Sequence, residues 1–327
     1  MTIRTFAVVF LAVLAAAPQA PAAPSAHPAQ VPAFGVMLGA SGMGVEQRIA
    51  VARTLGVRYV RPNDIRIPAW RGADPEAAAF AQAGFGIVLT VRNAAAGPLR
   101  PAAPPADLAA FQRAVGEILD THRPALLVVE NEENSALFYR GTPQEYGAEL
   151  RAACAVARAR RIPCTNGGLV SGLVALLVYE GYREDGDPAR AEEFARRAFT
   201  PSQRARLNSP QVREQVARGR ALLGEYRAAG ADYLNFHWYI ADPQALREAA
   251  AYLRRQTGLP LVTNEIGQHD DDPRTTTALL HAAAELGLPY VVWFSIDAPQ
   301  ARALMNPDGT LRPPGQAFRA FLAGRSR

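Results

Sequence analysis

Leu126-Leu-Val-Val-Glu-Asn-Glu-Glu-Asn134 runs from four apolar residues into three carboxylates and two amides. A short apolar run of this kind reads as a buried strand, and burying charge at its end is costly unless the charge has partners or a task. Leu259-Pro-Leu-Val-Thr-Asn-Glu-Ile-Gly267 has the same grammar, apolar residues leading into an Asn-Glu pair. Nine asparagines and seventeen glutamates in 327 residues give about 0.5 such dipeptides by chance at ordinary composition. There are two, both at the ends of strand-like runs.

Six more strand-like runs flank these two. The full set of eight is 34–39, 57–61, 85–91, 125–130, 162–166, 233–239, 259–264 and 290–295. Apolar spacing predicts helices between them, at 45–55, 77–83, 107–120 with Asp107 as cap, 143–160 and 210–229, and a last one at 314–322. The gap between the fifth and sixth strands is too long for one ordinary connection. Its excess, about 169–208, reads as a helical insertion after strand five. Eight apolar strands alternating with helices predict an α/β fold, a (β/α)₈ TIM barrel spanning 34–327 as a single domain. An open doubly wound sheet is the rival. It usually has fewer strands, and no G-x-G-x-x-G follows strand one.

The first 26 residues read as an export signal: Arg4 is the charged start, Phe6 to Ala17 an apolar stretch too short to span a bilayer, and Ala20-Pro-Ala22 a cleavage site. A Pro/Ala-rich lead-in occupies 27–33. The chain is expected to be secreted or periplasmic, with no membrane contact after cleavage; an uncleaved anchor is the alternative. All 35 basic residues are arginine and the net charge is +5. The arginines are scattered beside acids, not gathered into a basic stripe, so no nucleic-acid partner is expected. Cys154 and Cys164 lie across a helix-to-strand turn and read either as a disulfide or as two small buried hydrophobes. A monomer without cofactor is expected.

In a barrel the C-terminal ends of the strands share one mouth, where active sites lie. Strand two ends there in Arg61, strand four in Glu130, Asn131 and Glu132, strand six in His237, Trp238 and Tyr239, strand seven in Asn264 and Glu265, and strand eight carries Trp293. Two carboxylates from separate strands are what cleavage of a glycosidic bond needs, one as acid and one as nucleophile or base.

Arg61, Asn131-Glu132, His237, Tyr239, Glu265 and Trp293, in this strand order, resemble the pattern of the retaining glycoside hydrolases of clan A, with families five and thirty-nine most similar. The resemblance covers the barrel from about Phe34 to Phe321. It implies a secreted glycosidase cleaving β-linked glycosides, oligosaccharides or polysaccharides, with Glu132 as acid/base and Glu265 as nucleophile. It further implies that Asn131 bonds the sugar 2-hydroxyl, that Arg61 and Tyr239 hold the nucleophile, that His237 lines the site and that Trp293 floors a sugar subsite.

The chain departs from the family at Glu130 and Glu133, where an aromatic residue and a proline are common. Strand alternation points Glu130 into the barrel, where it needs Arg61 or Arg58; Glu133 is expected to be peripheral. Trp238 is expected to pack outward. Trp70, Phe138 and Tyr139 read equally as sugar platforms or loop anchors. His269-Asp-Asp-Asp272 reads as a capped, solvated loop, and no three-ligand metal set stands out at the strand ends. The competing function is a non-catalytic barrel that keeps a carbohydrate cleft.

Overall fold

The computed structural model describes residues 32–39, 42–95, 100–297 and 303–325. The expected export signal over 1–26 and nearly all of the lead-in lie outside the described residues.

Eight parallel strands form the barrel: β1 (Ala33–Met37), β2 (Tyr59–Arg61), β3 (Gly86–Arg92), β4 (Leu126–Val129), β5 (Cys164–Asn166), β6 (Leu234–Trp238), β7 (Leu261–Ile266) and β8 (Tyr290–Trp293). Each pairs with its sequence neighbour, and β1 also pairs with β8. A two-residue strand, Ile65–Arg66, pairs in parallel with the C-terminal end of β3. The ring closes between β5 and β6 through the bridges Thr165 to Tyr233 and Leu169 to Phe236.

The eight strands lie where the sequence predicts them, each shifted or shortened by a few residues at its ends. Helix starts are set by local chemistry. Asp74-Pro75, Thr142-Pro143, Asp187-Pro188, Ser209-Pro210, Asp242-Pro243 and Asp272-Pro273 each place a capping side chain before a proline in the first turn. Asp107 caps its helix by accepting from Ala109 and Ala110 N–H.

Alternation splits the apolar residues into two cores. Inside the barrel, Tyr59, Tyr233 and Tyr290 meet edge-on at the N-terminal ends of the strands, below Met37, Val88, Leu126, Val128, Val262 and Val292. Between strands and helices a larger core holds the outward set, including Phe236, Trp238 and Trp293. Trp238 therefore packs outward, as expected.

The segment after β5 forms helices Ser171–Glu184, Pro188–Ala198 and Pro201–Arg204, followed by Pro210–Ala228. Ser171 stitches the first of these to the barrel mouth: its hydroxyl donates to His237 O at 3.2 Å and accepts from Tyr239 N–H at 3.0 Å. Cys154 and Cys164 form a disulfide with Cα atoms 5.4 Å apart, tying helix Pro143–Ala159 to β5. No helix among the described residues is long and apolar enough to cross a membrane.

Candidate active site

Strict alternation would turn one of the neighbours Asn264 and Glu265 away from the mouth. A register shift resolves this. Val262 faces Asn235 and Glu265 faces His237, so β7 carries one extra residue against β6; against β8 a compensating shift lies between Thr263 and Ile266. The bulge brings both side chains inward. Asn264 reaches His237 and Asn235, while Glu265 reaches Arg61 and Tyr239.

Glu265 is 7% exposed. One of its oxygens accepts from Arg61 Nη1 at 2.6 Å, and the other from the Tyr239 hydroxyl at 2.6 Å, with His237 Nδ1 at 3.4 Å. Burial alone would raise its pKa. The charges of His237 and Arg61 and the Tyr239 hydrogen bond outweigh burial and hold it below the ordinary carboxylate range. Arg61 also donates from Nη2 to Asn131 Oδ1 at 3.0 Å, which leaves the Asn131 amide N–H₂ side turned elsewhere.

Past Val129 the chain leaves strand geometry. Glu130 and Glu132 have φ of +68° and +43°, a left-handed backbone that non-glycine residues adopt rarely and that recurs at functional sites. This turn overturns the expectation for Glu130, because alternation does not extend beyond the strand. Its carboxylate is fully buried against helix Pro143–Ala159, accepting from Asn93 N–H and from Arg92 Nε at 3.4 Å, with the Glu149 carboxyl as a further partner. Burial pushes the Glu130 pKa up to about 7, and burial with the neighbouring Glu130 charge raises that of Glu149 well above the ordinary carboxylate range. Arg61 is therefore free to serve Glu265.

Glu133 is not peripheral. It is fully buried, accepts from the Tyr226 hydroxyl and from Asn166 Nδ2, and has a pKa raised by burial.

Glu132, part-exposed on the same turn, places Oε1 2.9 Å from His237 Nδ1. His237 is fully buried. Burial would lower its pKa, but Glu265 and Glu132 raise it on balance. One ligand atom from each of Glu132, His237 and Glu265 lies within 4.8 Å of the other two. By distance this trio is a three-ligand set that the sequence did not reveal. Both Glu265 oxygens are already engaged and the Arg61 guanidinium is in contact, so a cation would compete with a resident positive charge.

The structure thus brings together Arg61, Asn131, Glu132, His237, Tyr239 and Glu265. Trp293 does not join them. It is fully buried in the outer core, its ring 6.0 Å from Phe318, so the expected subsite floor is corrected to a packing residue. A cleft of about 540 Å³ opens over Glu132 and Glu265, and its apolar walls are Met37, Phe138, Tyr239 and Phe294. Sequence reasoning missed Phe294 and also Asp64, which lines the cleft between Arg61 at 3.5 Å and Arg92 at 3.8 Å. Of the aromatic residues left open, Phe138 walls the cleft, Tyr139 is buried and donates to Glu149, and Trp70 packs on His122. In the acidic run at 269–272, Asp272 caps the helix that follows.

No protein-family model and no curated protein matches the sequence. Solved structures share the fold. An endo-β-1,3-glucanase of glycoside hydrolase family 128, subgroup II, from Sorangium cellulosum superposes with a TM-score of 0.55 at 17% identity, over 88% of this chain and 98% of that one. A family 128 subgroup VI exo-β-1,3-glucanase from Aureobasidium namibiae gives 0.54 at 11%, over 89% and 96%. A family 30 subfamily 8 xylanase from Clostridium acetobutylicum gives 0.54 at 14%, over 89% and 71%. These neighbours come from families 128 and 30, not from families five and thirty-nine.

Proposed function

We propose that the chain is an exported, retaining glycoside hydrolase acting on β-linked glucans. The observation that carries this reading is a pair of carboxylates at separate strand ends with different partners. Glu265 is held ionised by Arg61 and Tyr239, and Glu132 shares a hydrogen bond with His237. Their oxygens approach within 4.8 Å. That supports direct attack, for which carboxyl groups lie ~5–5.5 Å apart, over the ~6.5–9.5 Å separation of an inverting enzyme.

In the first step Glu265 attacks the anomeric carbon while Glu132 gives its proton to the departing oxygen. Arg61 and Tyr239 release charge density on Glu265 as the ester forms. Asn131, its Oδ1 taken by Arg61, has an N–H to offer the sugar 2-hydroxyl. Once Glu265 is esterified its charge no longer faces His237 and Glu132, and Glu132 acts as base toward water.

The substrate class rests on the neighbours that share the fold: two are β-1,3-glucanases, and related family 128 structures hold laminari-oligosaccharides. Export rests on the first 26 residues, and the Cys154–Cys164 disulfide suits an oxidising compartment. Glu130 and Glu133, the motive for a non-catalytic reading, both have structural partners.

Aryl β-glycosides and laminari-oligosaccharides incubated with the wild type, Glu132→Gln and Glu265→Gln provide the test. Hydrolysis by the wild type that survives a chelator and is lost in both variants is expected. A folded wild type inert across the panel sinks the enzymatic reading.

A further inference from the structure

Three buried asparagines, Asn166 at the end of β5, Asn235 on β6 and Asn264 on β7, run across the barrel beneath the carboxylates, all fully buried. Backbone donors fix the direction of the first two amides, and the second fixes the third. Asn235 N–H donates to Asn166 Oδ1 at 2.7 Å, which turns Asn166 Nδ2 to Glu133 at 2.8 Å and to Asn235 O at 2.9 Å. Asn264 N–H donates to Asn235 Oδ1 at 3.0 Å, which turns Asn235 Nδ2 to Asn166 O at 3.1 Å and to Asn264 Oδ1 at 2.6 Å.

The atom of Asn264 that meets Asn235 Nδ2 must therefore be the acceptor. That same Oδ1 lies 2.9 Å from His237 Nε2. An amide oxygen accepts only, so Nε2 carries a hydrogen. Gly168 backs the ring: with φ of +105° and a Cβ there standing 2.2 Å from His237 Nε2, only glycine admits the imidazole at this place.

We propose that Asn264 is a positioning residue that, through His237, keeps a proton available to Glu132. The proposal rests on the hydrolase reading for its catalytic meaning. With Nε2–H committed to Asn264, the only variable proton of the ring is on Nδ1, and Nδ1 faces Glu132 Oε1. Glu132 and Nδ1 then hold one proton between them. Bond breaking at the anomeric carbon sends that proton to the leaving oxygen as the bond to Glu265 forms and the Glu265 charge is consumed. The pair is left with the negative charge until water gives it a proton, bonds through its oxygen to the anomeric carbon and releases Glu265 as a carboxylate. The opposite tautomer, with hydrogen on Nδ1 and a bare Nε2, would leave Asn264 Oδ1 facing a lone pair and Glu132 facing a neutral donor that cannot take or hold its proton. The charged groups facing His237 are Glu132 from the turn after β4, Glu265 from β7 and Arg61 from β2, with Glu133 behind Asn166.

The test has two readouts on the full chain. ¹⁵N spectra of His237, taken without substrate at a pH where the ring is neutral, report its tautomer, and pH profiles of kcat/KM report the shared proton. The wild type is expected to show hydrogen on Nε2. Asn264→Ala removes the acceptor; mixed tautomers and about a 10²-fold loss of kcat/KM, the low end of general-acid catalysis, are expected. Asn264→Asp keeps an acceptor and adds charge: a single Nε2–H form and a basic limb moved to higher pH are expected. A wild-type ring protonated on Nδ1, or Asn264→Ala with one tautomer and an unmoved profile, overturns the proposal. If Asn264→Ala does not fold, the wild-type tautomer and the Asn264→Asp profile decide it. Inactivity toward every glycoside with Nε2–H retained would reject the hydrolase reading and leave the ring geometry standing.

Discussion

Arg61→Met removes the guanidinium that faces Glu265 at 2.6 Å while keeping a side chain of similar length. Both partners are buried, at 1% and 7% exposure. Two unit charges with centres ~4 Å apart at an effective dielectric of ~20 interact by about 4 kcal/mol, or about three pKa units. His237 still faces Glu265 at 3.4 Å, so part of the lost charge is compensated, and a rise of about 1–3 units is expected. Glu265 has a depressed folded pKa, so its ionisation stabilises the fold above the unfolded carboxylate value and that contribution disappears as pH falls through the folded value. With Arg61 gone the depression shrinks or reverses, and the acid limb of kcat/KM moves upward. Stability falls as well, by about 3–5 kcal/mol for a broken buried pair, so the profile is measured below the variant's melting temperature. Arg61→Lys keeps charge but loses the fork to Asn131, so its acid limb stays near that of the wild type while turnover drops. A folded Arg61→Met enzyme with an unmoved acid limb would refute the role of Arg61 in ionising Glu265.

Glu149→Gln tests the buried carboxyl pair behind the turn. Both acids have raised folded pKa values, so the fold holds more protons than the unfolded chain between 4.5 and about 7, and stability declines as pH rises through that window. An amide N–H to Glu130 replaces the shared proton; thermal melts should show the variant matching the wild type at pH 5 and exceeding it at pH 8, and equal decline in both would reject the pair. Trp293→Ala should cost about 3–5 kcal/mol in denaturant titrations with KM unchanged in the folded enzyme, whereas Phe294→Ala on the cleft wall should raise KM with little loss of stability. The reverse pattern would return Trp293 to the substrate.

The barrel was legible because alternating strands and helices leave a strong periodic trace, and the two Asn-Glu pairs marked their strand ends. Trp293 was legible as well: Tyr290 and Val292 face inward, so the odd neighbour faces the helices, and the family pattern overrode this local rule. Glu130 was misread by carrying alternation past Val129, where a positive φ ends it. The bulge in β7 leaves no mark in the residues themselves, since Thr-Asn-Glu-Ile fits a regular strand equally well. The amide chain was invisible for a different reason. Asn166, Asn235 and Asn264 acquire meaning only from one another, across strands separated by 69 and 29 residues, and no spacing rule links them. Glu133 likewise finds its partner Tyr226 far along the chain.

The central claim is that Glu265 attacks the anomeric carbon while Glu132, on the other side of the scissile bond, protonates the leaving oxygen. Proton NMR of a laminari-oligosaccharide digest, recorded within the first minutes before the products mutarotate, reads it most directly. The β anomer appearing first is the predicted result. First formation of the α anomer would require water between the two carboxylates and would contradict the assignment of Glu265 as nucleophile.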